Sequence, residues 1–230
     1  MNTPALEIDP VWEQEIYSQG SHLNRYPFDC VVSFVFRHAP RTKPRAATRI
    51  VEAGCGAANN LWFAAREGFS AAGIDGSAAA IDFARDRFLR EGLTADLRVG
   101  SFAELPWGDE TFDLAIDRCS LTCTNPAVQH QAVAEIRRVL RPGGCFLYNA
   151  YSDRHTSARS GRRHPDGRVT DITAGTLTGV GGIYFSSRRD VQALFRDGWE
   201  VLRWEHSEVE EQSADREPVH AEWRVVVRKK

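Results

Sequence analysis

The chain of 230 residues predicts an α/β fold with a doubly wound, mostly parallel sheet of seven strands. Short apolar runs bounded by glycine, proline or acidic residues alternate along it with segments of helical periodicity. Because such alternation requires crossover connections, it places helices on both faces of a parallel sheet. A glycine turn, Gly54-Cys55-Gly56, also joins the first strand directly to a helix, which is how α/β sheets expose backbone to a ligand.

Each expected strand is short, apolar and bounded by turn-forming or acidic residues. The last two follow a polar, glycine-rich stretch and would complete the sheet. The seven strands are expected near 49–53, 70–74, 95–99, 112–117, 144–150, 199–206 and 220–228.

Helical patterns fill the connections between strands. Residues 60–67 end at Gly68, and residues 78–91 follow a Ser77 N-cap and end at Gly92. Two later patterns cover 127–140, where Pro142 ends the helix, and 188–197. The apolar faces expected to pack inward are Ile81, Ala84, Phe88 and Leu89 in the second helix, Ala132, Val133, Ile136, Val139 and Leu140 in the third, and Val191, Leu194 and Phe195 in the fourth.

Two acidic residues stand at the ends of the first two strands. Glu52 precedes the glycine turn, and Asp75 follows about twenty residues later, where a carboxylate would accept both hydroxyls of a ribose. A dinucleotide fingerprint would need a third glycine where the chain has Asn59, so a nicotinamide or flavin dinucleotide is disfavoured. The pattern therefore indicates a nucleoside-type ligand.

The segment 51–60 resembles motif I of class I S-adenosylmethionine (SAM)-dependent methyltransferases. Segments 73–77, 105–114 and 140–144 resemble the family's later motifs, in the family's order. The closest pattern is that of small-molecule enzymes similar to the ubiquinone/menaquinone methyltransferases. The resemblance implies a Rossmann-like sheet with the last strand antiparallel, SAM as cofactor and S-adenosylhomocysteine (SAH) as product.

The resemblance also assigns the cofactor site. Two positions depart from the family pattern: Ala58 replaces a glycine close to the expected methionine tail, and Ser101 stands where many members carry an adenine-binding aspartate. The cofactor-binding residues it implies are Glu52, Ala53, Gly54, Cys55, Gly56, Asn59, Asp75, Gly76, Ser101, Phe102, Asp117 and Arg118.

Methyl transfer from a sulfonium is an in-line displacement in which positioning supplies most of the acceleration. A hydroxyl acceptor would also need a base, for which Asp117 and His155 are the catalytic candidates, with His38 and Tyr184 as further possibilities. Asp117 fits equally well as a strand-end carboxylate that caps a helix, and an isolated loop histidine such as His155 is commonly just solvated. The candidate substrate-binding residues are Tyr26, Arg154, Arg159 and Tyr184.

We expect one methyltransferase domain over 1–230. Its parts are an N-terminal helical lid at 1–45, a SAM-binding core at 46–150, an acceptor-side cover at 151–186, and a C-terminal helix and strands at 187–230. The arginines between 154 and 168 would either receive an anionic group of the acceptor or belong to a solvated loop.

The composition also limits the partners and the kinds of site that the protein is expected to have. A net charge of −2 argues against an obligatory nucleic-acid partner, and five irregularly spaced cysteines fit neither a disulfide framework nor a zinc site. Without a leader or an apolar run near the ~18 residues of a membrane span, a cytoplasmic monomer or homodimer with no membrane insertion is expected. The predicted function is methyl transfer to a hydroxyl or amine of a small molecule, with anionic acceptors included. The alternatives are a non-catalytic SAM-binding protein and, less favoured, an NAD(P)-dependent nucleotide-sugar oxidoreductase.

Overall fold

The computed structural model describes residues 10–21, 23–212 and 218–230. One seven-stranded sheet runs through it in the order β3-β2-β1-β4-β5-β9-β8, and only β9 is antiparallel to its neighbours. The strands are β1 (Arg49–Ala53), β2 (Ser70–Asp75), β3 (Asp96–Val99), β4 (Phe112–Arg118), β5 (Leu140–Tyr151), β8 (Trp199–Glu210) and β9 (Val219–Lys229), with β6 (Arg162–Arg163) and β7 (Val169–Thr170) forming a separate small hairpin.

Helices cover both faces of the sheet, as the alternating pattern predicts. Each of α3, α4 and α5 begins at a side-chain cap: Ser77, Asn125 and Ser187 accept hydrogen bonds from backbone N–H groups of the first helical turn. The helices are α1 (Asp29–His38), α2 (Asn59–Arg66), α3 (Ala78–Arg90), α4 (Pro126–Val139) and α5 (Arg188–Leu194), preceded by a π-helical segment, Trp12–Tyr17.

The core lies in two layers, one on each side of the sheet. Successive residues of β1 face opposite layers: Ile50 packs with the cluster that contains Phe34 of α1, and Val51 packs with the cluster that contains Ile136 of α4. Phe146 of β5 is fully buried in the second layer. This burial of both faces accounts for the nearly continuous apolar strands of the sequence.

The fold class, the seven strands and the antiparallel last strand are confirmed. One predicted core position is wrong, because Leu89 is 80% exposed. At about 100° per residue it lies roughly 80° around the helix from Ile81, which takes it off the buried face. Within the described ranges, no helix has both the length and the apolar character needed to cross a bilayer.

The order of the parallel strands switches at β1, which has β2 and β3 on one side and β4 and β5 on the other. Crossovers therefore leave β1 toward opposite sides, and a crevice opens beyond the carboxyl ends of these strands. Glu52, Asp75 and Asp117 all lie at that end of the sheet.

Candidate functional site

The loop between β1 and α2 places two glycines in left-handed backbone conformations. Gly54 has φ +65° and Gly56 has φ +50°. A Cβ at Gly54 would collide with the Ser120 side chain, and a Cβ at Gly56 would lie 2.6 Å from the Tyr17 hydroxyl oxygen. Both the backbone conformation and the available space therefore require glycine here.

Asp75 connects this loop to the end of β2. Its Oδ2 accepts a hydrogen bond from the Gly56 N–H at 2.7 Å, and its Oδ1 accepts one from the Ser77 N–H at 2.9 Å. Burial raises the pKa of this carboxyl, although these two N–H groups oppose the effect. Since each carboxylate oxygen has a second lone pair, Asp75 can still accept two hydroxyl hydrogen bonds.

Glu52 carries the most unusual carboxylate at the site. It is 2% exposed, and its Oε1 accepts a hydrogen bond from Asn60 Nδ2 at 2.7 Å. Its Oε2 is buried and has no hydrogen-bond partner among the described residues. Burial, reinforced by Asp117 and Asp75, raises the pKa of Glu52 to about 8 despite the Asn60 hydrogen bond. A bound cation would satisfy this oxygen.

Arg118 lies on the other side of the same space, at the end of β4. Its guanidinium stacks 4.2 Å from the centre of the Phe28 ring, and its Nη1 donates to Cys119 Sγ at 2.6 Å. Its Nε is buried with no partner among the residues the structure describes. Glu52 and Arg118 thus offer an unpaired carboxylate oxygen and an unpaired N–H, which suit the ammonium and the carboxylate of an amino acid.

Three adjoining cavities form the site. The glycine-loop cavity, about 230 Å³, is lined by Glu52 and Arg118, and the Asp75 cavity, about 130 Å³, is lined by Asp75 and Phe102. The His220 cavity, about 200 Å³, lies toward the region 151–186. Trp12 and Cys119 line all three, so the cavities meet at these two side chains.

The π-helical segment Trp12–Tyr17 packs over the mouth of the glycine loop. Glu13 accepts hydrogen bonds from Ser77 Oγ and, at 3.3 Å, from the Ala79 N–H at the start of α3. Tyr17 lies against Gly56. The lid function of 1–45 stays a prediction, and residues 1–9 of that range lie outside the described part of the chain.

Most of the predicted cofactor-binding residues come together at this site. Two have local roles instead: the Ala53 carbonyl accepts from Ser120 Oγ at 2.6 Å, and Ser101 Oγ accepts from the Ala103 N–H at 3.1 Å. The residues that line the glycine-loop and Asp75 cavities are Glu52, Gly54, Cys55, Gly56, Asn59, Asp75, Gly76, Phe102 and Arg118.

Asp117 is fully buried, and its Oδ1 caps the turn that follows β4. This oxygen accepts from the N–H groups of Ser120 and Leu121 at 2.9 and 3.0 Å and from Ser120 Oγ at 2.5 Å. Burial raises the pKa of Asp117 to about 6. Oδ1 of Asp117 thus has the capping role that its strand-end position suggested. Its Oδ2 is buried with no partner among the described residues, and the catalytic and cofactor-binding roles stay predictions.

His155 is also fully buried and caps a turn. Its Nδ1 accepts from the Ser157 N–H at 3.0 Å at the start of a short 3₁₀ helix, and burial together with His220 lowers the pKa of His155 to about 4. Because this buried ring lines none of the three cavities and both of its nitrogens face partners within the protein, we assign His155 a structural role in place of the catalytic one. His38 ends α1, where its ring packs on Phe34.

The candidate substrate-binding residues lie away from the cavities. Tyr26 is 68% exposed and packs beside Trp62. Tyr184 is half-buried, and burial raises its pKa to about 12. Arg154 is 64% exposed and pairs with Glu208, and Arg159 is exposed. Arg162 and Arg168 likewise form ion pairs, with Asp171 and Asp166. These arginines are therefore exposed or already paired, as the solvated-loop alternative expects of them.

Further residues complete the site. Trp12 and Tyr17 belong to the predicted N-terminal lid, and Cys119 follows Arg118 at the end of the predicted fourth strand, although its left-handed φ of +58° has no sequence signal. His220 lies within the last apolar strand, where periodicity gives no reason to select it.

Comparison with known proteins matches residues 50–144 to a family model described as a methyltransferase domain. Over 108 residues the chain is 35% identical to a probable S-adenosylmethionine-dependent methyltransferase of Mycolicibacterium smegmatis, covering 46% of this chain and 40% of that protein. Over 133 residues it is 32% identical to a fatty-acid O-methyltransferase of the same species, covering 57% of this chain and 45% of that protein. The matched part thus spans less than half the length of these two curated relatives.

Among solved structures, a SAM-dependent methyltransferase of Methanosarcina mazei superposes with a TM-score of 0.69. The match covers 89% of this chain and 98% of that chain at 19% identity. At this identity the superposition shows a shared fold.

Proposed function

Because the chain belongs to the class I SAM-dependent methyltransferase family, we propose that it transfers the methyl group of SAM to a hydroxyl or amine of a small molecule. SAM is the cofactor of this family and SAH its product. The observation that carries the proposal is the unpaired Glu52 Oε2, buried in the glycine-loop cavity one strand away from Asp75.

The polar groups of the site fit the parts of SAM. Glu52 would hold the ammonium and Arg118 the carboxylate of the methionine portion, since each carries a buried polar atom without a partner among the described residues. Asp75 would accept the ribose hydroxyls, and Phe102 would supply an apolar face for adenine. Gly54 and Gly56 keep the loop free of side chains where the cofactor would lie.

SAM supplies a methyl group that its sulfonium already activates, so the protein mainly needs to orient the acceptor and exclude water. Trp12 is suited to both tasks, because it lines all three cavities and lies over their common mouth. Cys119 lines the same junction from the end of β4.

Several finer assignments stay predictions. These are the ubiquinone/menaquinone-like subgroup, an anionic acceptor, the absence of a nucleic-acid partner, and a monomeric or homodimeric state. Arg154, Arg162 and Arg168, which suggested an anionic acceptor, are already ion-paired, so the proposed function does not depend on a charge on the acceptor.

Calorimetric titration with SAM and SAH tests the proposal. Both should bind, and Asp75→Ala should weaken binding by about 1.5–3 kcal/mol, the range for a hydrogen bond to a charged group. Asp82→Ala is the matched control, because this aspartate is 72% exposed on α3. Saturation by NADH without affinity for SAM or SAH would contradict the proposal and favour the oxidoreductase alternative.

Turnover separates an enzyme from a non-catalytic SAM-binding protein. Protein incubated with SAM and a pool of small hydroxyl and amine compounds should release SAH, measured by mass spectrometry. Binding of SAM without SAH release from any such pool would favour the binding protein.

A further inference from the structure

The His220 cavity has walls suited to an apolar, ring-sized molecule. Tyr151, Leu177, Val180 and Ile183 line it, together with Trp12 on the side of the cofactor cavities. Among the described residues at its wall there is no arginine or lysine. Its volume is about 200 Å³, and a cavity of about 150 Å³ admits benzene. One substituted six-membered ring therefore fits.

A hydrogen-bond chain fixes the ring of His220 at this wall. His155 Nδ1 accepts from the Ser157 N–H, so in neutral His155 the proton is on Nε2. This Nε2–H points to Thr176 Oγ1 at 3.1 Å and to His220 Nδ1 at 3.2 Å. Nδ1 of His220 has a single lone pair, so when Thr176 Oγ1 accepts the His155 N–H, the Thr176 hydroxyl, 2.9 Å away, can donate to Nδ1. An O–H donor thus already fits against Nδ1 at the cavity wall.

A carboxylate lies on the far side of the His220 ring. His220 Nε2 lies 3.7 Å from Glu222 Oε2, and Glu222 is only 3% exposed. Burial alone would raise the pKa of Glu222, but His220, Arg118 and Arg224 outweigh it and lower the pKa to about 2. The carboxylate is therefore ionised, and its negative charge beside Nε2 favours the tautomer of His220 in which Nε2 carries the proton and Nδ1 is the acceptor.

We propose that the His220 cavity binds the methyl acceptor, an uncharged ring-sized molecule with a hydroxyl group, and that His220 Nδ1 is the base for that hydroxyl. This inference rests on the methyl-transfer function proposed above. The acceptor hydroxyl takes the place of the Thr176 hydroxyl at Nδ1, while the His155 N–H donates to Thr176 Oγ1 and leaves the Nδ1 lone pair free. The acceptor oxygen is directed toward Trp12 and Cys119, where the three cavities meet.

The proton and electrons balance in one displacement. His220 Nδ1 takes the hydroxyl proton, the oxygen lone pair forms the new bond to the methyl carbon, and the carbon–sulfur bond breaks with its electron pair remaining on sulfur. The products are the methyl ether and SAH. His220, whose side chain is 31% exposed, then releases its proton to solvent.

Ring NMR of protein labelled with 15N-histidine tests the site without turnover. Phenol added with saturating SAH should shift the His220 ring signals, assigned with His220→Gln, and leave those of His164 in place, because His164 bonds to Thr170 in the β6–β7 region. Leu177→Trp should abolish the shift by filling the cavity, while SAH affinity stays unchanged. An unshifted His220 in protein that binds SAH would overturn this inference and leave the proposed function standing, whereas loss of SAH binding in the unmodified protein would count against the function itself.

Turnover tests the acceptor class and the base. With SAM, monocyclic phenols should release SAH and the matching benzoic acids should not. His220→Gln should lower kcat for the phenols at least ~100-fold, the lower end for loss of a general base, with SAM affinity unchanged, and His164→Gln should have no effect. Methylation of benzoates alone, or full activity of His220→Gln, would overturn the proposal.

Discussion

At the scale of single residues, the buried carboxyl group of Glu52 lowers the stability of the ligand-free protein and would stabilise a bound cofactor. Its buried Oε2 has no partner in the described part of the chain, and burial raises its pKa from an ordinary 4.5 to about 8. A folded state that holds this proton more tightly than the unfolded chain loses stability as the pH rises through that interval. An ammonium at Oε2 would reverse the effect by favouring the charged form.

Glu52→Gln should therefore change the pH dependence of stability. The free energy of unfolding of the unmodified protein should fall from about pH 4.5 to about pH 8, by about 1.4 kcal/mol per pKa unit. The variant should lack this decline and be the more stable protein at the alkaline end. Urea unfolding at several pH values measures it, with the exposed Glu104→Gln as control.

The same variant should bind SAM more weakly, by about 1.5–3 kcal/mol, since the amide cannot pair with the ammonium. Equal SAM affinity in Glu52→Gln would contradict the assignment of Glu52, whatever its effect on stability.

Ala58 has a different role from the one its motif position suggests. It is fully buried in a cluster with Leu61 and Ile81, so its methyl group packs into the core, and its φ of +53° is left-handed. Replacement by glycine relieves about 1 kcal/mol of backbone strain and removes about 0.8 kcal/mol of methyl burial.

Ala58→Gly should thus change the free energy of unfolding by less than about 1 kcal/mol and leave SAM affinity unchanged. Gly56→Ala is the informative contrast, because its new Cβ would lie 2.6 Å from the Tyr17 hydroxyl oxygen, and it should weaken SAM binding. Calorimetry compares the two. A marked change in SAM affinity in Ala58→Gly would show that this methyl group contacts the cofactor.

At the scale of elements, Ser77 joins α3 to the N-terminal segment. Its Oγ accepts from the Ala80 N–H at 3.0 Å as the helix cap and donates to Glu13. The capping role follows from the sequence, because serine before a helical pattern is a local signal. The bond to Glu13 does not, because it joins residues 64 positions apart.

Ser77→Ala should lower the free energy of unfolding by about 1 kcal/mol, as loss of an N-cap does. It should also weaken SAM binding, because Glu13 loses its hydrogen bond from Ser77 and keeps only the 3.3 Å bond from the Ala79 N–H, so the segment Trp12–Tyr17 is held less firmly over the cavities. Ser187→Ala removes the cap of α5 and should lower stability alone. If both variants affected SAM affinity equally, the coupling to the lid would be refuted.

At the scale of the whole molecule, the sequence predicts features that depend on local pattern. Apolar runs locate the strands, and the spacing of Glu52 and Asp75 locates the cofactor end of the sheet, because strand ends meet at one edge whatever the loops do. The position of His220 on the acceptor side depends on two strand pairings. His220 pairs with Val209 in the long β8–β9 hairpin, and Glu222 of the same strand pairs with Tyr151 on β5. Such long-range register leaves no local signal, so the base could not be selected from the sequence.

The N-terminal segment provides a test of how far the sheet and its cover are independent. The three clusters that pack against the sheet contain no described residue before Phe28, so the core does not need the segment. Trp12 and Tyr17, in contrast, line both cofactor cavities. We therefore expect loss of the N-terminal segment to affect SAM binding without affecting the packing of the sheet.

Removal of residues 1–20 should leave the far-ultraviolet circular dichroism of the sheet and of α1 to α5 nearly unchanged, because their packing is retained. SAM should bind more weakly, since Trp12 and Tyr17 no longer shield the cavities from water and the polar contacts are less favourable in a wetter site. The rise in Tm that saturating SAM produces by binding only the folded state should shrink accordingly. Global unfolding after truncation would show that the segment is part of the core, and an unchanged SAM affinity would show that it does not cover the cofactor.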